Sequence, residues 1–158
     1  MMEKCCGGTP AKKPDEYRRR SPLAWLDGAR KAGVPVYIAT GIHDGWKGSV
    51  PVGHAIRAFN ALADAKDRIP EADIAFVEKT RAMPLSLAHE SAADPFYAAK
   101  GGVHFRRASA NALLTVFEGG HDSNCSAGFE FLSRQRKGSK ADFSIPARAD
   151  GTSVELSK

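Results

Sequence analysis

The sequence predicts an α/β fold, because short buried strands alternate along the chain with helices that have one apolar face. The run VYIAT at residues 36–40, bounded by proline and glycine, is apolar and β-branched, which is typical of a strand covered on both faces. A glycine-rich loop follows, and apolar residues then repeat at helical spacing over residues 54–66. Strand, loop and helix in this order make up half of a βαβ unit.

The bulk composition is that of one soluble-type globular domain. The chain has 158 residues, of which 42% are apolar, so a single domain with a packed core is expected. No apolar run reaches the roughly 18 residues that a membrane-spanning helix needs, so no membrane contact is predicted. The first residues lack the apolar stretch of a signal peptide, which leaves the compartment of a longer parent protein open.

The formal net charge of +5 raises the question of a nucleic-acid partner. The basic residues form two short patches, one within residues 12–20 and one within residues 134–140, and no aromatic residues are interleaved with them in a repeating pattern. We therefore expect solvated surface or a subunit contact, and no nucleic acid. A basic nucleic-acid-binding module is kept as a third hypothesis, which salt-independent binding or absence of binding would exclude.

Cysteine and histidine spacing predicts neither a disulfide framework nor a metal site. The three cysteines are an odd number, and Cys5 and Cys6 are adjacent, unlike zinc ligands. The five histidines show no helical i, i+4 pair with an acid between them. We expect free thiols, no metal and no cofactor. The histidines are His43, His54, His89, His104 and His121.

Three regions are predicted along the chain. Residues 1–20 are polar and contain glycines and prolines, so an N-terminal arm or loop is expected there. Residues 21–138 hold the predicted α/β domain, and residues 139–158 form a polar tail with a short extended piece near 143–145. At the start of the domain, a short helix between Ser21 and Gly33 is expected to bury one face, made of Leu23, Trp25, Leu26 and Ala29.

The second half of the domain begins with a helix predicted over residues 70–80, followed by an irregular segment up to residue 101. Residues 103–107 and 112–117 are predicted to be two strands of a hairpin. A helix from about residue 126 to 137 closes the domain. Its apolar residues are Phe129, Phe131 and Leu132.

Two segments share one layout, in which a buried strand leads to a glycine-containing loop with an ionisable residue and then to a helix. They are GIHDG at 41–45 and EGGHD at 118–122. If the two strands are parallel neighbours, Asp44 and His121 emerge at the same edge of the sheet, where ligands of open α/β sheets bind. A carboxylate there can fix the tautomer of the imidazole, whose other nitrogen then serves as a general base.

Other interpretations of these residues stay open at the level of sequence. An isolated aspartate in a loop is usually a turn or capping residue. His43, beside Asp44, is an alternative functional histidine, and Asp122 is an alternative N-cap for the helix that follows.

The acid-bearing segment resembles that of prolyl-oligopeptidase-like serine α/β-hydrolases, which are related to dienelactone hydrolases. The matching stretches are RSPL at 20–23, VYIATGIHDG at 36–45, GSVPV at 48–52 and AFNAL at 58–62. The family pattern there is a hydrophobic strand, a loop of the form G-x-x-D-x-x-V-P, and a helix.

The histidine segment of the same family is similar to LTVFEGGH at 114–121, followed by a helix with an aromatic pair and the ending QRKG at 135–138. The resemblance covers roughly residues 7–138 and implies the C-terminal portion of an α/β-hydrolase sheet with flanking helices. It implies that Asp44 is the acid and His121 the base of a Ser-Asp-His triad, in a peptidase or esterase acting on an ester or peptide bond.

The chain departs from the family pattern in two ways. The link between acid and histidine is longer than usual, so residues 67–111 are predicted to be an insertion. Four of its charged residues are candidates to reach the site: Glu71, Glu78, Arg106 and Arg107. The chain also contains no G-x-S-x-G elbow, which in this fold precedes the acid and lies next to an oxyanion donor. Ser49 follows the acid and stands in the wrong place.

The expected function follows from these departures. The chain is interpreted as the C-terminal part of a serine hydrolase whose serine lies outside it, inactive alone, with an N-terminal partner chain or a second copy as its partner. The alternative is a non-catalytic interaction domain that associates through the open edge of the strand at 36–40, because a long apolar edge is an association site.

Overall fold

The fold is centred on a three-stranded mixed sheet. The computed structural model describes residues 2–90, 93–146 and 153–154. Strand β1 (Val36–Gly41) pairs in parallel with β3 (Ala112–Phe117), and β2 (Val103–Ser109) pairs with β3 in antiparallel fashion. The predicted α/β class and the predicted hairpin are confirmed, and the turn of the hairpin is only two residues long.

Short helices surround the sheet. None of those in the described part of the chain is both long and apolar enough to cross a bilayer. The α-helices are α1 (Met2–Cys6), α2 (Pro14–Arg20), α3 (Leu26–Lys31), α4 (Val52–Leu62), α5 (Glu71–Thr80), α6 (Pro95–Ala98) and α7 (Cys125–Arg134). Single 3₁₀ turns occupy Pro22–Ala24, Ala65–Asp67 and Ala88–Glu90, and β4 (Ile145–Pro146) pairs with β5 (Ser153–Val154).

Strand β3 is the centre of the sheet, and all six of its residues are buried. Side chains alternate across a strand, so Leu114 and Val116 face one core cluster, whereas Phe117 packs with Tyr97 in a second cluster on the other face. Helices α4 and α5 supply the first cluster, and Phe59 of α4 is fully buried there. Full burial of such a side chain stabilises the fold by about 1.5–3 kcal/mol.

Strand β1 is an edge strand within the described residues, since its only neighbour in the sheet is β3. Its first three residues are half-buried, Ala39 is exposed, and only its last two residues are buried. The parallel register places Ile38 opposite Leu114 and Gly41 opposite Phe117. The two strands therefore end level with each other, which brings the loops that follow them together.

The segment before β1 differs from its predicted form. The helix expected between Ser21 and Gly33 is split into a 3₁₀ turn and α3, and only Leu26 and Ala29 of its expected apolar face pack against the core. Trp25 is 62% exposed, and its indole N–H donates to the carbonyl of Arg19 at 3.1 Å. The loop expected over residues 1–20 contains helices α1 and α2 instead.

Helices α4, α5 and α7 confirm the predicted helices with shifted ends. Helix α4 starts two residues before the predicted range and ends four residues earlier, and α7 ends at Arg134. Phe131 of α7 is buried, whereas Phe129 and Leu132 are exposed. The extended piece expected near 143–145 is found as β4, and residues 147–152 and 155–158 of the predicted tail lie outside the described residues.

Candidate active site

The candidate site lies beyond the carboxyl ends of β1 and β3. The parallel ladder continues past both strands, because the N–H of Ile42 donates to the carbonyl of Phe117 and the N–H of His43 donates to the carbonyl of Gly119, each at 2.9 Å. The loop after β1 and the loop after β3 are thus hydrogen-bonded to each other before either reaches its ionisable residue.

The structure brings the two predicted site residues together. The Nδ1 of His121 lies 2.9 Å from Oδ2 of Asp44. A carboxylate can only accept a hydrogen bond, so Nδ1–H is the donor and Nε2 carries the lone pair of the neutral ring. Asp44 is 7% exposed, whereas the side chain of His121 is 56% exposed. Within the described residues no hydrogen-bond partner of Nε2 is found.

The carboxylate of Asp44 is held at both oxygens. Its Oδ1 accepts from the N–H of Gly45 at 2.9 Å, which leaves Oδ2 for His121. The backbone of Asp44 is fixed as well, because its N–H donates to Gly41 at 3.1 Å and its carbonyl accepts from Val52 at 3.3 Å. An acid held in this way orients the imidazole without moving itself.

Two glycines are required where the loops meet. A Cβ on Gly41 would lie 2.2 Å from the carbonyl oxygen of Gly120. A Cβ on Gly48 would lie 2.4 Å from Cβ of His121 and 2.6 Å from Oδ1 of Asp44. From the glycines that flank the two ionisable residues, the sequence predicts sharp backbone turns and room for a substrate. The structure shows close contacts at Gly41 and Gly48.

A small open pocket of about 290 Å³ adjoins the acid. Glu78 of α5 lines this pocket together with Asp44 and Trp46, so one of the four insertion residues predicted to reach the site does so. The indole N–H of Trp46 donates to the carbonyl of Glu78 at 3.0 Å, and the guanidinium of Arg81 lies 3.8 Å from the centre of the Trp46 ring. The sequence reasoning missed Trp46 and Arg81, although a tryptophan two residues after the candidate acid was a visible signal.

The other three insertion residues lie elsewhere, so their prediction is wrong. Arg106 forms a buried ion pair with Asp94, and Arg107 donates from Nε to Glu90 at 2.8 Å. Glu71 accepts from Nε of Arg57 at 3.1 Å.

Arg57 joins α5 to α4. The hydrogen bonds that Arg57 donates to Glu71 and Glu78 raise the pKa of the Arg57 guanidinium, and the hydrogen bond that Glu71 accepts from Arg57 lowers the pKa of Glu71. This charge network anchors α5 against α4 and thereby places Glu78 beside the acid.

The alternative histidine, His43, forms a separate contact. Its Nε2 donates to Oε1 of Glu118 at 2.7 Å, and Nε2 of His104 donates to Oε2 of the same carboxylate at 2.9 Å. The hydrogen bond from His104, and after it the bond from His43, lowers the pKa of Glu118 despite the opposing effect of burial. Glu118 is therefore ionised at neutral pH. No motif or spacing in the sequence indicates that these three residues meet.

One further alternative is excluded by the geometry. The N-cap of α7 is Asn124, whose side-chain oxygen accepts from Ala127 at 3.1 Å, and not Asp122. No group of three or more histidine, cysteine, aspartate or glutamate residues in the described segments is placed to hold a metal ion.

Comparison of the chain with models of known protein families, with curated proteins and with solved structures finds no match.

Proposed function

We propose that this chain is the C-terminal part of a serine hydrolase that cleaves an ester or peptide bond through a Ser-Asp-His triad. Asp44 is the acid, His121 is the base, and the serine lies outside this chain. The observation that carries the proposal is the 2.9 Å contact between Nδ1 of His121 and Oδ2 of Asp44, at the ends of two neighbouring parallel strands.

The chemistry assigned to the pair follows from its geometry. Asp44 accepts the Nδ1 proton, so Nε2 is available to take a proton from a nucleophile and later to return it to the leaving group. The exposure of His121 leaves room for a nucleophile and an acyl group on that side. Without the nucleophile and the oxyanion donors beside it, the pair alone supplies no covalent catalysis, so the chain is expected to be inactive by itself.

The resemblance to prolyl-oligopeptidase-like hydrolases supports the reaction class, since both family segments occur in the family order. The resemblance does not select between a peptidase and an esterase. The pocket beside Asp44, with Trp46 and Glu78 in its wall, is the part of the described chain that we assign to contact with the complete enzyme's substrate.

A second candidate function is a non-catalytic interaction domain, and the observation that favours it is the edge position of β1. Ala39 of β1 and the neighbouring Val34 are exposed, and an unpaired strand edge accepts a further strand. Light scattering that shows a monomer with a cooperative thermal transition at micromolar concentration would exclude self-association through this edge.

Labelling with a fluorophosphonate tests the hydrolase proposal. The isolated chain is expected to remain unlabelled, and a serine is expected to be labelled when the chain is co-expressed with the polypeptide encoded upstream in frame. Asp44→Ala and His121→Ala should each reduce the labelling rate by about 10³-fold or more. The matched controls are Asp15→Ala and His54→Ala, because both replaced residues are exposed.

Two results would contradict the proposal. Labelling of the isolated chain would show that the chain carries its own nucleophile. An upstream reading frame that encodes no strand, G-x-S-x-G elbow and helix would leave the pair without a serine.

A further inference from the structure

The carboxylate of Glu118 is shared by two histidines, one in the loop after β1 and one in strand β2. Oε1 accepts from Nε2 of His43 at 2.7 Å, and Oε2 accepts from Nε2 of His104 at 2.9 Å. Each oxygen serves one ring, and all three side chains are between about one quarter and two fifths exposed: His43 is 26% exposed, His104 37% and Glu118 38%. The arrangement is therefore an ordered hydrogen-bonded cluster at the surface of the sheet edge.

The cluster connects the two loops that carry the candidate pair. His43 immediately precedes Asp44, and Glu118 immediately precedes the Gly-Gly-His segment that ends at His121. His104 lies on β2, at the point where its pairing with β3 is irregular. A displacement of the Glu118 side chain would therefore act on the acid loop, the histidine loop and the outer strand at the same time.

The backbone of Glu118 is hydrogen-bonded to a neighbouring turn, and its side chain packs closely against Gly101. Its N–H donates to the carbonyl of Gly102 at 3.0 Å. A Cβ on Gly101, whose φ is +101°, would lie 2.7 Å from Cγ of Glu118. Lys100, on the same turn, lies 4.0 Å from Asp122 and not against Glu118. The two histidines are thus the hydrogen-bond partners of the Glu118 side chain within the described residues.

We propose that Glu118 is a positioning residue, which sets the distance between the loop of Asp44 and the loop of His121 by holding His43 with one carboxylate oxygen and His104 with the other. This role rests on the proposed function in one respect: the hydrolase reaction is the reason why the geometry of the Asp44–His121 pair matters. The positioning itself is a property of the described chain and needs no nucleophile. Glu118 acts through His43 and the backbone, and within the described residues its side chain forms no hydrogen bond with Asp44 or His121.

The tautomer of His121 reports this positioning directly. In the native arrangement Asp44 accepts from Nδ1–H, so the neutral ring is held in the Nδ1–H form, and the ring ¹⁵N shifts of selectively labelled protein distinguish this form from Nε2–H. In Glu118→Gln, one histidine loses its acceptor, because an amide has a single oxygen. We expect the ratio of Nδ1–H to Nε2–H at His121 to fall by about fivefold.

A matched control separates positioning from a general loss of charge. Glu130 is 32% exposed and pairs with Arg134 on α7, so Glu130→Gln removes a carboxylate of similar exposure away from both loops. We expect it to leave the His121 ratio unchanged. An unchanged ratio in folded Glu118→Gln, or an equal fall in both variants, would overturn the proposal.

The two histidine partners provide a second test that stands if Glu118→Gln fails to fold. His43→Gln should lower the His121 ratio more than His104→Gln, because His43 adjoins the acid and His104 lies on the outer strand. The reverse order, or no change in either variant, would overturn the proposal. Failure of the positioning role is distinguishable from failure of the proposed function. A chain that never supports fluorophosphonate labelling can still show that Glu118 influences the His121 tautomer.

Discussion

Two carboxylates of this chain, Asp44 and Asp94, each bind a basic side chain that is distant in sequence, but the two pairs differ in their environment. Asp94 and Arg106 are both 4% exposed at their side chains, and Asp94 also accepts from the N–H of Phe96 at 2.9 Å as the N-cap of α6. Asp44 is buried to a similar extent, but the side chain of its partner His121 is 56% exposed.

The difference shows which pair can perform chemistry. A pair that is buried on both sides exposes neither side chain to a substrate, and its contribution is to the stability of the fold. Tyr97, fully buried beside this region, has its pKa raised mainly by burial, as expected for a dry environment. The Asp44–His121 pair combines a fixed, buried acid with an accessible base, which is the arrangement that proton transfer to a bound molecule requires.

The largest expected effect follows from breaking the buried pair. Arg106→Met leaves the charge of Asp94 without its partner inside the protein, so we expect the free energy of unfolding to fall by about 3–5 kcal/mol. Urea unfolding followed by circular dichroism measures this loss.

The double variant Arg106→Met/Asp94→Asn is the control for that experiment. It removes the unpaired charge but keeps a side-chain oxygen to cap α6, so it should recover at least half of the lost stability. No recovery would mean that Arg106 stabilises the fold by packing and that the ion pair is secondary.

A smaller loss of stability is expected where the loops that carry Asp44 and His121 meet. Gly41→Ala places a methyl group 2.2 Å from the carbonyl of Gly120, and backbone on both sides must shift, at a cost of about 1–3 kcal/mol. Gly28→Ala is the matched control, because a Cβ there meets nothing within 4 Å and alanine is favoured in helix α3 by about 1 kcal/mol. Thermal unfolding of both variants measures the difference in stability. Equal midpoints would show that a Cβ at Gly41 does not clash with the neighbouring loop.

Much of the sheet edge could be predicted from the sequence, because its signals are local. The strand at 36–40, the hairpin and the helix that follows the glycine-rich loop each have their own periodicity. The meeting of Asp44 and His121 follows from one further rule, that parallel neighbouring strands end at the same edge. The structure agrees with each of these steps.

The partners of charged residues in the insertion could not be predicted in the same way. Arg106 and Arg107 contact Asp94 and Glu90, which lie in an irregular segment without periodicity. The indole N–H of Trp25 donates to the carbonyl of Arg19, in the segment before the helix. Such contacts are decided by the path of the chain in three dimensions, and residue type and spacing carry no signal for them.

Glu118 provides a pH-dependent prediction on the same sheet edge. Folding lowers the pKa of Glu118 below its ordinary value of 4.5, mainly through the hydrogen bond from His104. The stability that it contributes is therefore present above that ordinary value and is lost as the pH falls through the lowered value in the folded state. We expect Glu118→Gln to destabilise the chain by about 1 kcal/mol at pH 7 and by less at pH 3. Thermal midpoints of the native chain and Glu118→Gln between pH 7 and pH 3 measure this loss of stability. A loss that grows as the pH falls would contradict the prediction.

The smallest effect on stability is expected at the candidate acid itself. In Asp44→Asn, the amide oxygen keeps the hydrogen bond from the N–H of Gly45, so the NH₂ group takes the place of Oδ2 and faces Nδ1 of His121. The NH₂ group donates, so Nδ1 must accept and the ring changes to the Nε2–H form. Because both hydrogen bonds persist and only the one to His121 reverses its direction, the free energy of unfolding should change by only about 0.5 kcal/mol.

The tautomer, measured from the ring ¹⁵N shifts of His121, should nevertheless invert in Asp44→Asn. A serine supplied from outside the chain would then face a ring nitrogen that already carries a proton and cannot act as its base. Loss of stability comparable to that of Arg106→Met, with the Nδ1–H form retained, would instead make the two pairs equivalent and assign Asp44 to the fold. The expected combination of a small change in stability and an inverted tautomer is therefore what distinguishes a pair suited to proton transfer from a pair that holds the structure together.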